Sequence, residues 1–247
     1  MYTSRLKPEL DLKKSLTPSE YTNLFGDPFW TLPGNSKAKS IYWQMDDKQK
    51  AEMLKANYIK MIEKGRQRNW DHAADNLQWW LDGSGFTKII DFKWLRSQRE
   101  VLSSENLNIE RFENDEDLKD FVKEFNDGYT DKYVAYFVHQ VKAGIFGELF
   151  YMSGYSILNS RCNFKITRKK NDFLLSGTIV HSWSDRYDWH KGAHAYIYGF
   201  GYVGDSDALL VEKHCGAKPF DMKSTWKQNF KATFQIESSG SLNLKLR

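Results

Sequence analysis

The sequence has few cysteines, little net charge and no apolar stretch at its start. These shortages argue against a cysteine metal or redox site, a nucleic-acid partner and a cleavable signal, respectively. Its 247 residues include only Cys162 and Cys215, which cannot form a metal site by themselves and whose isolated settings do not resemble a redox pair. The formal net charge of +4 is too small by itself to indicate a nucleic-acid partner, and none is expected. The polar residues that follow Met1 contain no visible cleavable signal, so we expect synthesis in the cytoplasm and export by a non-classical route.

What the sequence does contain indicates a packed protein. It is 40% hydrophobic and 28% charged, far from the composition of chains that stay disordered. The length suits one large domain or two small ones that are closely joined. Charge is uneven, because residues 131–247 hold 16 Lys and Arg against 10 Asp and Glu, a local excess of 16 − 10 = +6. That excess fits an anionic partner or a solvated basic face.

The first 130 residues are punctuated like helices. Residues 17–20 have the pattern of a capping box and predict a short helix, and the Gly- and Pro-rich residues 26–34 predict an ordered loop. Further helices are predicted from Asp46 to Gly65, from Asp71 to Gly83, from Asp91 through Val101 and from Asn114 to Asn126. The helical region therefore extends over residues 1–130.

The pattern then changes. Residues 133–152 are apolar nearly all round, which predicts a buried central helix within residues 131–160, with lipid contact as the less favoured alternative. Residues 163–168 and 173–183 read as a hairpin, and so do residues 232–236 and 242–246. The sequence therefore predicts an α+β fold, a helical N-terminal half followed by an antiparallel β-rich region at 161–247.

The residues that could carry chemistry follow the long strand. Asp185 and Asp188 are three residues apart, and His190 and His194 come just after them. Carboxylates of this kind can hold a hard divalent cation, while an imidazole passes protons during hydrolysis. Tyr187 could orient a phosphate, whose charge Arg186, His190 or Lys191 could offset. The alternative is a charged hairpin exit held by local salt bridges.

The spacing Asp185-x-Tyr187-Asp188-aromatic, with His194 seven residues after the tyrosine, resembles the signature of colicin M and related lipid II-degrading bacteriocins. This resemblance covers about residues 160–200. It implies a secreted phosphodiesterase that depends on Mg²⁺ or another divalent metal, with Asp185, Tyr187, Asp188 and His194 as catalytic residues, Asp185 and Asp188 being the metal ligands. That family places an arginine after its histidine, where this chain has Ala195, so the phosphate-binding cation would come from Arg186, Lys191 or another residue.

The resemblance implies a function, a lipid-linked substrate at a membrane surface, and a protein partner. We expect an antibacterial toxin, a hydrolase that cleaves the undecaprenyl pyrophosphate linkage of lipid II at the periplasmic membrane surface and so blocks peptidoglycan synthesis. A cognate immunity protein is an expected partner. Two other classes stay open from the residues alone: a non-enzymatic effector that permeabilises membranes through residues 133–152, and a binding module whose basic, aromatic second half recognises carbohydrate or nucleic acid.

Overall fold

A computed structural model describes residues 44–113, 115–144, 147–190, 194–197, 201–236 and 242–246. The helix predicted at 17–20 and the loop predicted at 26–34 lie outside these residues. The chain divides into two compact units. A helical unit comprises its described residues up to Lys88 together with Ala143–Tyr155 and Arg186–Asp221, and a sheet unit comprises Ile89–Lys142, Ser156–Asp185 and Met222 onwards. Both units are discontinuous in sequence, a division that helix and strand patterns read along the chain do not predict.

The helical unit is built on α1 (Asp47–Gln67), which packs against α2 (Asp71–Leu81) and α7 (Asp205–Cys215). Asp46 begins α1 with a capping box, since its carboxylate accepts the backbone N–H of Gln49 while the Gln49 side chain accepts the N–H of Asp46. The start of α2 has no capping side chain of its own. The carboxylate of Glu148 accepts the His72 and Ala73 N–H groups instead, at 2.6 and 3.2 Å.

The remaining elements of this unit are short. Helix α6 covers Glu148–Met152, and strands β5 (His194–Ile197) and β6 (Gly201–Gly204) form an antiparallel pair in which His194 faces Gly204. The sequence pattern of residues 195–204 could be read as strand or helix, and the structure shows two strands. Helix α7 follows β6 directly and ends at Gly216, whose φ of 80° is the left-handed conformation that favours glycine.

A six-stranded sheet forms the sheet unit, with strand order β1-β7-β4-β3-β2 and with β8 paired to β7. The strands are, in chain order, β1 (Lys88–Ile89), β2 (Thr130–Lys142), β3 (Tyr155–Lys169), β4 (Asp172–Tyr187), β7 (Phe220–Ile236) and β8 (Leu242–Leu246). Both predicted hairpins are confirmed as antiparallel pairs. The β3–β4 hairpin is longer than predicted, with pairing from Ile157↔Ser184 to Lys169↔Asp172.

Three helices, α3 (Phe92–Ser97), α4 (Arg99–Glu113) and α5 (Glu116–Val122), supply the other half of the core of the sheet unit. Phe112 on α4 and Leu118 on α5 pack with buried strand residues such as Phe164, Phe230 and Phe234. The predicted helix start at Asp91 is confirmed, because its carboxylate accepts the backbone N–H of Lys93. Burying these apolar side chains supplies the main favourable free energy of the unit.

The central helix predicted for residues 131–160 is wrong. Strand β2 occupies Thr130–Lys142, and only the five residues of α6 are helical in the rest of that stretch as far as the structure describes it. Odd positions such as Ala135 and Val141 face the core, whereas Val134, Tyr136 and Val138 are exposed on the opposite face. Apolar residues on both faces concealed the alternation by twos that marks a strand.

The predicted fold class is wrong for the same kind of reason. The fold is mixed α/β rather than a helical half followed by a β-rich half, because β1 and β2 interrupt the helical part and α7 lies between the strands of the second part. Strong turn signals marked the hairpins, but α7 has no long apolar periodicity. None of the helices in the described residues is long and apolar enough to cross a membrane.

Candidate functional site

The predicted site residues lie at the end of β4 and just beyond it. Asp185 is a partly buried residue of the sheet unit, whereas Arg186, Tyr187, Asp188 and His190 belong to the helical unit. Lys191 lies outside the described residues, and His194 is described only as the first backbone position of β5. The metal pair Asp185 and Asp188 and the catalytic role of His194 therefore stay predictions.

Three of the predicted residues do come together, and we call them the acidic-imidazole cluster: Arg186, Asp188 and His190. The Asp188 carboxylate lies 3.3 Å from Nε2 of His190 and 3.6 Å from Nε of Arg186. The side chains of Arg186 and His190 are 56% and 61% exposed, against 24% for Asp188. A solute can therefore reach the cation and the imidazole while the carboxylate between them is partly shielded.

A second carboxyl group, that of Asp205, holds the backbone of this cluster by a hydrogen bond. Asp205, the first residue of α7, accepts the backbone N–H of His190 at 2.7 Å and is 4% exposed. Burial raises the pKa of Asp205 to about 6, although the hydrogen bond from His190 opposes that shift. Sequence patterns missed Asp205, which lies 15 residues from His190. Its only signal was an acidic residue in the first turn of a helix.

Aromatic side chains fix the position of the cluster. Trp189 lies next to Asp188 in the chain, and its ring centroid is 5.4 Å from that of Trp80 and 6.0 Å from that of Tyr58. Tyr187 stacks on Phe220 with a centroid distance of 5.1 Å. Such ring pairs add to the free energy of burial and hold neighbouring residues in place.

The same packing shifts the pKa values of Tyr187 and of a third acidic residue, Glu212. Burial raises the pKa of Tyr187 above its ordinary value, so its hydroxyl stays protonated. Its predicted catalytic role stays a prediction. The Trp80 indole donates to the carboxylate of Glu212 at 2.9 Å, and burial raises the pKa of Glu212, with Asp188 adding to that rise.

A divalent cation requires several oxygen ligands that converge on one point. Among the described residues, no three His, Cys, Asp or Glu side chains are arranged to hold a metal ion. The carboxylate of Asp188 is already engaged by His190 and Arg186. The predicted divalent metal therefore stays a prediction, and no step of the proposed mechanism depends on it.

A different histidine, in the sheet unit, lies in a fully buried polar network that sequence patterns also missed. His181 is 0% exposed, its Nδ1 lies 2.8 Å from Oγ of Ser160, and its Nε2 lies 3.3 Å from Oε1 of Gln228. Asn108 donates to the same Ser160 oxygen at 2.8 Å. Burial lowers the pKa of His181. A serine beside a histidine suggests a nucleophile, but no substrate reaches side chains so deeply buried.

A surface cleft of about 570 Å³ also lies within the sheet unit, between α4 and β2. Its lining includes the cationic side chains of Arg99, Arg111 and Lys142 together with His139 and Glu100. Arg111 donates to the backbone carbonyl of Val138, which ties the helix to the strand. The cleft is polar and open, without the apolar enclosure typical of small-molecule sites.

No protein-family model, curated protein or solved structure matches the chain significantly.

Proposed function

We propose that this protein is a phosphoesterase that hydrolyses the lipid-linked pyrophosphate of a peptidoglycan precursor and acts as an antibacterial toxin. The observation that carries the proposal is the acidic-imidazole cluster, in which an accessible imidazole and an accessible guanidinium share one carboxylate. The resemblance of residues 185–194 to lipid II-degrading bacteriocins supplies the substrate class. The cluster and the resemblance both involve the residues at the end of β4 and directly after it.

In the proposed mechanism His190 is the general base. Its Nε2 faces the Asp188 carboxylate at 3.3 Å, so the ring takes the proton from water at its other nitrogen, Nδ1, while the carboxylate orients the imidazole. The water oxygen attacks phosphorus while the bond from phosphorus to the lipid oxygen breaks. The proton then passes from the imidazolium to the leaving lipid alkoxide, which becomes the free alcohol.

Arg186 binds the phosphate in this scheme. Its Nη1 lies 2.8 Å from Oδ1 of Asp221, which orients the guanidinium and leaves part of its planar set of donors exposed. Guanidinium groups pair with phosphate oxygens through two parallel hydrogen bonds. Charge on the phosphate would thus be offset beside the imidazole that activates water.

Asp205 acts as a positioning residue. Its carboxylate is buried away from solvent and accepts a hydrogen bond from the backbone of His190. The hydrogen bond to the His190 N–H fixes the peptide that carries the imidazole. Small displacements of a catalytic group lower rates steeply. A rigid buried acceptor behind the histidine is therefore consistent with general base catalysis.

The test is an assay of lipid II hydrolysis with purified protein. Release of the pyrophosphorylated disaccharide peptide is measured in parallel reactions with magnesium and with a chelator. We expect Asp188→Asn and His190→Gln to lower kcat by about 10²- to 10⁴-fold, the usual contribution of general acid–base catalysis. Asp120→Asn is the matched control, because it also removes a carboxylate from an ion pair, with Lys123. It should leave the rate unchanged.

Two further variants separate the cluster from the motif. If Asp185→Ala and His194→Ala were inactive while Asp188→Asn and His190→Gln kept the full rate, the motif residues rather than the cluster would form the site. Absence of hydrolysis by the unaltered protein under both metal conditions would reject the proposed activity.

A further inference from the structure

The sheet unit has two unlike faces. One face packs against α4 and α5 and contains the apolar core. The other is formed by alternate residues of four neighbouring strands in the order β7-β4-β3-β2, and its side chains are exposed or partly exposed, apart from the buried Thr233 of β7. We call it the outer face.

The outer face is basic. Its lysines and arginine, all exposed, are Lys132 and Lys142 on β2, Arg161, Lys165 and Lys169 on β3, and Lys223, Lys227 and Lys231 on β7. Strand β4 lies between the basic strands β3 and β7 and contributes small neutral residues such as Ser176, Thr178 and Ser182. The acidic residues at outward positions of these four strands are Asp172, opposite Lys169 at the start of β4, and Asp221, paired to Arg186 at the start of β7. Such a surface has a positive potential that extends over about one Debye length into solution.

One edge of the outer face is also apolar. Val134, Tyr136 and Val138 project from alternate positions of β2, with exposures of 45%, 67% and 52%. The guanidinium carbon of Arg161 on β3 lies 5.5 Å from the centre of the Tyr136 ring, so the cationic and apolar parts of the face adjoin each other. Ile157, 38% exposed, continues the apolar part on β3.

We propose that the outer face docks on an anionic phospholipid membrane surface. Lysine and arginine side chains are attracted to anionic headgroups, and exposed aliphatic and tyrosine side chains gain free energy by entering the headgroup region. Charge complementarity selects the anionic membrane. The aliphatic side chains of Val134 and Val138 favour lipid over nucleic acid, because single-stranded nucleic acid is bound mainly by aromatic rings that stack on bases.

This inference goes beyond the proposed hydrolysis and does not depend on it. The residues of the outer face belong to the sheet unit, whereas the acidic-imidazole cluster belongs to the helical unit. Binding can therefore be measured on vesicles that contain no substrate. Either proposal can fail while the other holds.

The experiment is co-sedimentation of the full chain with two kinds of vesicle. One consists of phosphatidylcholine alone, and the other also contains about 30 to 40% phosphatidylglycerol, which makes its surface strongly anionic. We expect binding to the anionic vesicles only. Raising the ionic strength should weaken the binding steeply, because the attraction between exposed charges is screened.

The decisive variant replaces Lys223, Lys227 and Lys231 with glutamine. Each lysine near an anionic surface contributes roughly a fivefold gain in affinity, so the triple variant should bind about a hundredfold more weakly. The matched control replaces Lys48, Lys60 and Lys64, exposed residues of α1 in the helical unit, and removes the same charge. It should bind like the unaltered protein.

A second variant tests the apolar edge. Val134→Thr, Tyr136→Thr and Val138→Thr together keep a strong preference for strand structure, and the variant should bind several-fold more weakly at high salt, where the electrostatic contribution is small. Asp188→Asn should bind the vesicles normally.

Three results would overturn the proposal. Equal affinity of the two lysine variants would show that net charge alone attracts the protein. Equal binding to neutral vesicles would remove the role of the basic side chains. Tight binding of a single-stranded oligonucleotide that depends on Lys223, Lys227 and Lys231, with no binding to anionic vesicles, would assign the outer face to nucleic acid.

Discussion

Each unit of the molecule has a histidine that interacts with carboxylates, and the two settings differ in access to solvent. In the helical unit the side chain of His190 is 61% exposed and Asp188 lies 3.3 Å away. In the sheet unit His181 is 0% exposed, is bonded to neutral side chains and interacts electrostatically with Glu105, which is paired to Arg96. Similar groups are therefore available for chemistry in one unit and enclosed in the core of the other.

The difference shows which physical property separates a candidate site from a structural network. A buried polar group must keep its hydrogen bonds, because an unsatisfied partner costs about 1–3 kcal/mol. An exposed ion pair stabilises a protein by less than about 1 kcal/mol, because water solvates both charges. Removing His181 should therefore affect folding, whereas removing His190 should affect function.

The largest expected effect is on the free energy of unfolding of His181→Ala. This change leaves a cavity beside Trp226, whose ring stacks on the imidazole at a centroid distance of 5.4 Å, and removes the partner of Ser160 and Gln228. We expect a loss of about 4 kcal/mol from the cavity and the unsatisfied groups together. Urea unfolding followed by tryptophan fluorescence measures it.

His190→Ala is the control for that measurement. Its side chain is mostly exposed, so its free energy of unfolding should change by less than about 0.5 kcal/mol. A loss in His190→Ala as large as the loss in His181→Ala would contradict the division between an accessible and an enclosed histidine.

The sequence allowed much of the fold to be predicted where local signals are strong. The helix start at Asp46, the helix start at Asp91 and the β3–β4 hairpin are all confirmed. Each of these depends on residues close together in the chain. Strand β2 could not be predicted in this way, since its apolar residues lie on both faces and only the packed sheet distinguishes them.

The candidate site follows the same rule. The proximity of Arg186, Asp188 and His190 follows from the sequence, because they lie within five positions of each other, whereas the roles predicted for Asp185 and His194 stay predictions. Asp205 was not predictable, because the bond to the His190 N–H depends on where α7 begins in three dimensions. The His181 network was hidden for a similar reason, since Ser160 and Gln228 come from two strands on either side of β4.

The second prediction concerns pH and Asp205. Because the pKa of Asp205 is raised to about 6 in the folded protein, the folded state holds a proton that the unfolded state has already lost, and this group reduces stability as pH rises from about 4 to about 6. Asp205→Asn keeps an acceptor for the His190 N–H but cannot ionise. Relative to the unaltered protein, the variant should therefore gain up to about 3 kcal/mol in stability between pH 4 and pH 8.

Thermal unfolding at a series of pH values measures this difference. Ser206→Ala is the control, because the neighbouring Ser206 side chain does not ionise in this range and its replacement should give a difference that stays flat across the same pH values. A flat difference for Asp205→Asn as well would mean that the buried carboxyl group titrates like an ordinary aspartate.

The last prediction concerns Arg186→Gln, which should change the free energy of unfolding only slightly. Arg186 pairs with Asp221 at 2.8 Å and with Asp188 at 3.6 Å, yet its side chain is 56% exposed, so the two ion pairs together should contribute no more than about 1 kcal/mol. If the guanidinium binds the phosphate of the substrate, the same variant should raise KM at least tenfold while the urea midpoint hardly moves. The reverse result, an unfolded variant or one with an unaltered KM, would place Arg186 with the structural side chains and leave Lys191 as the predicted phosphate-binding cation.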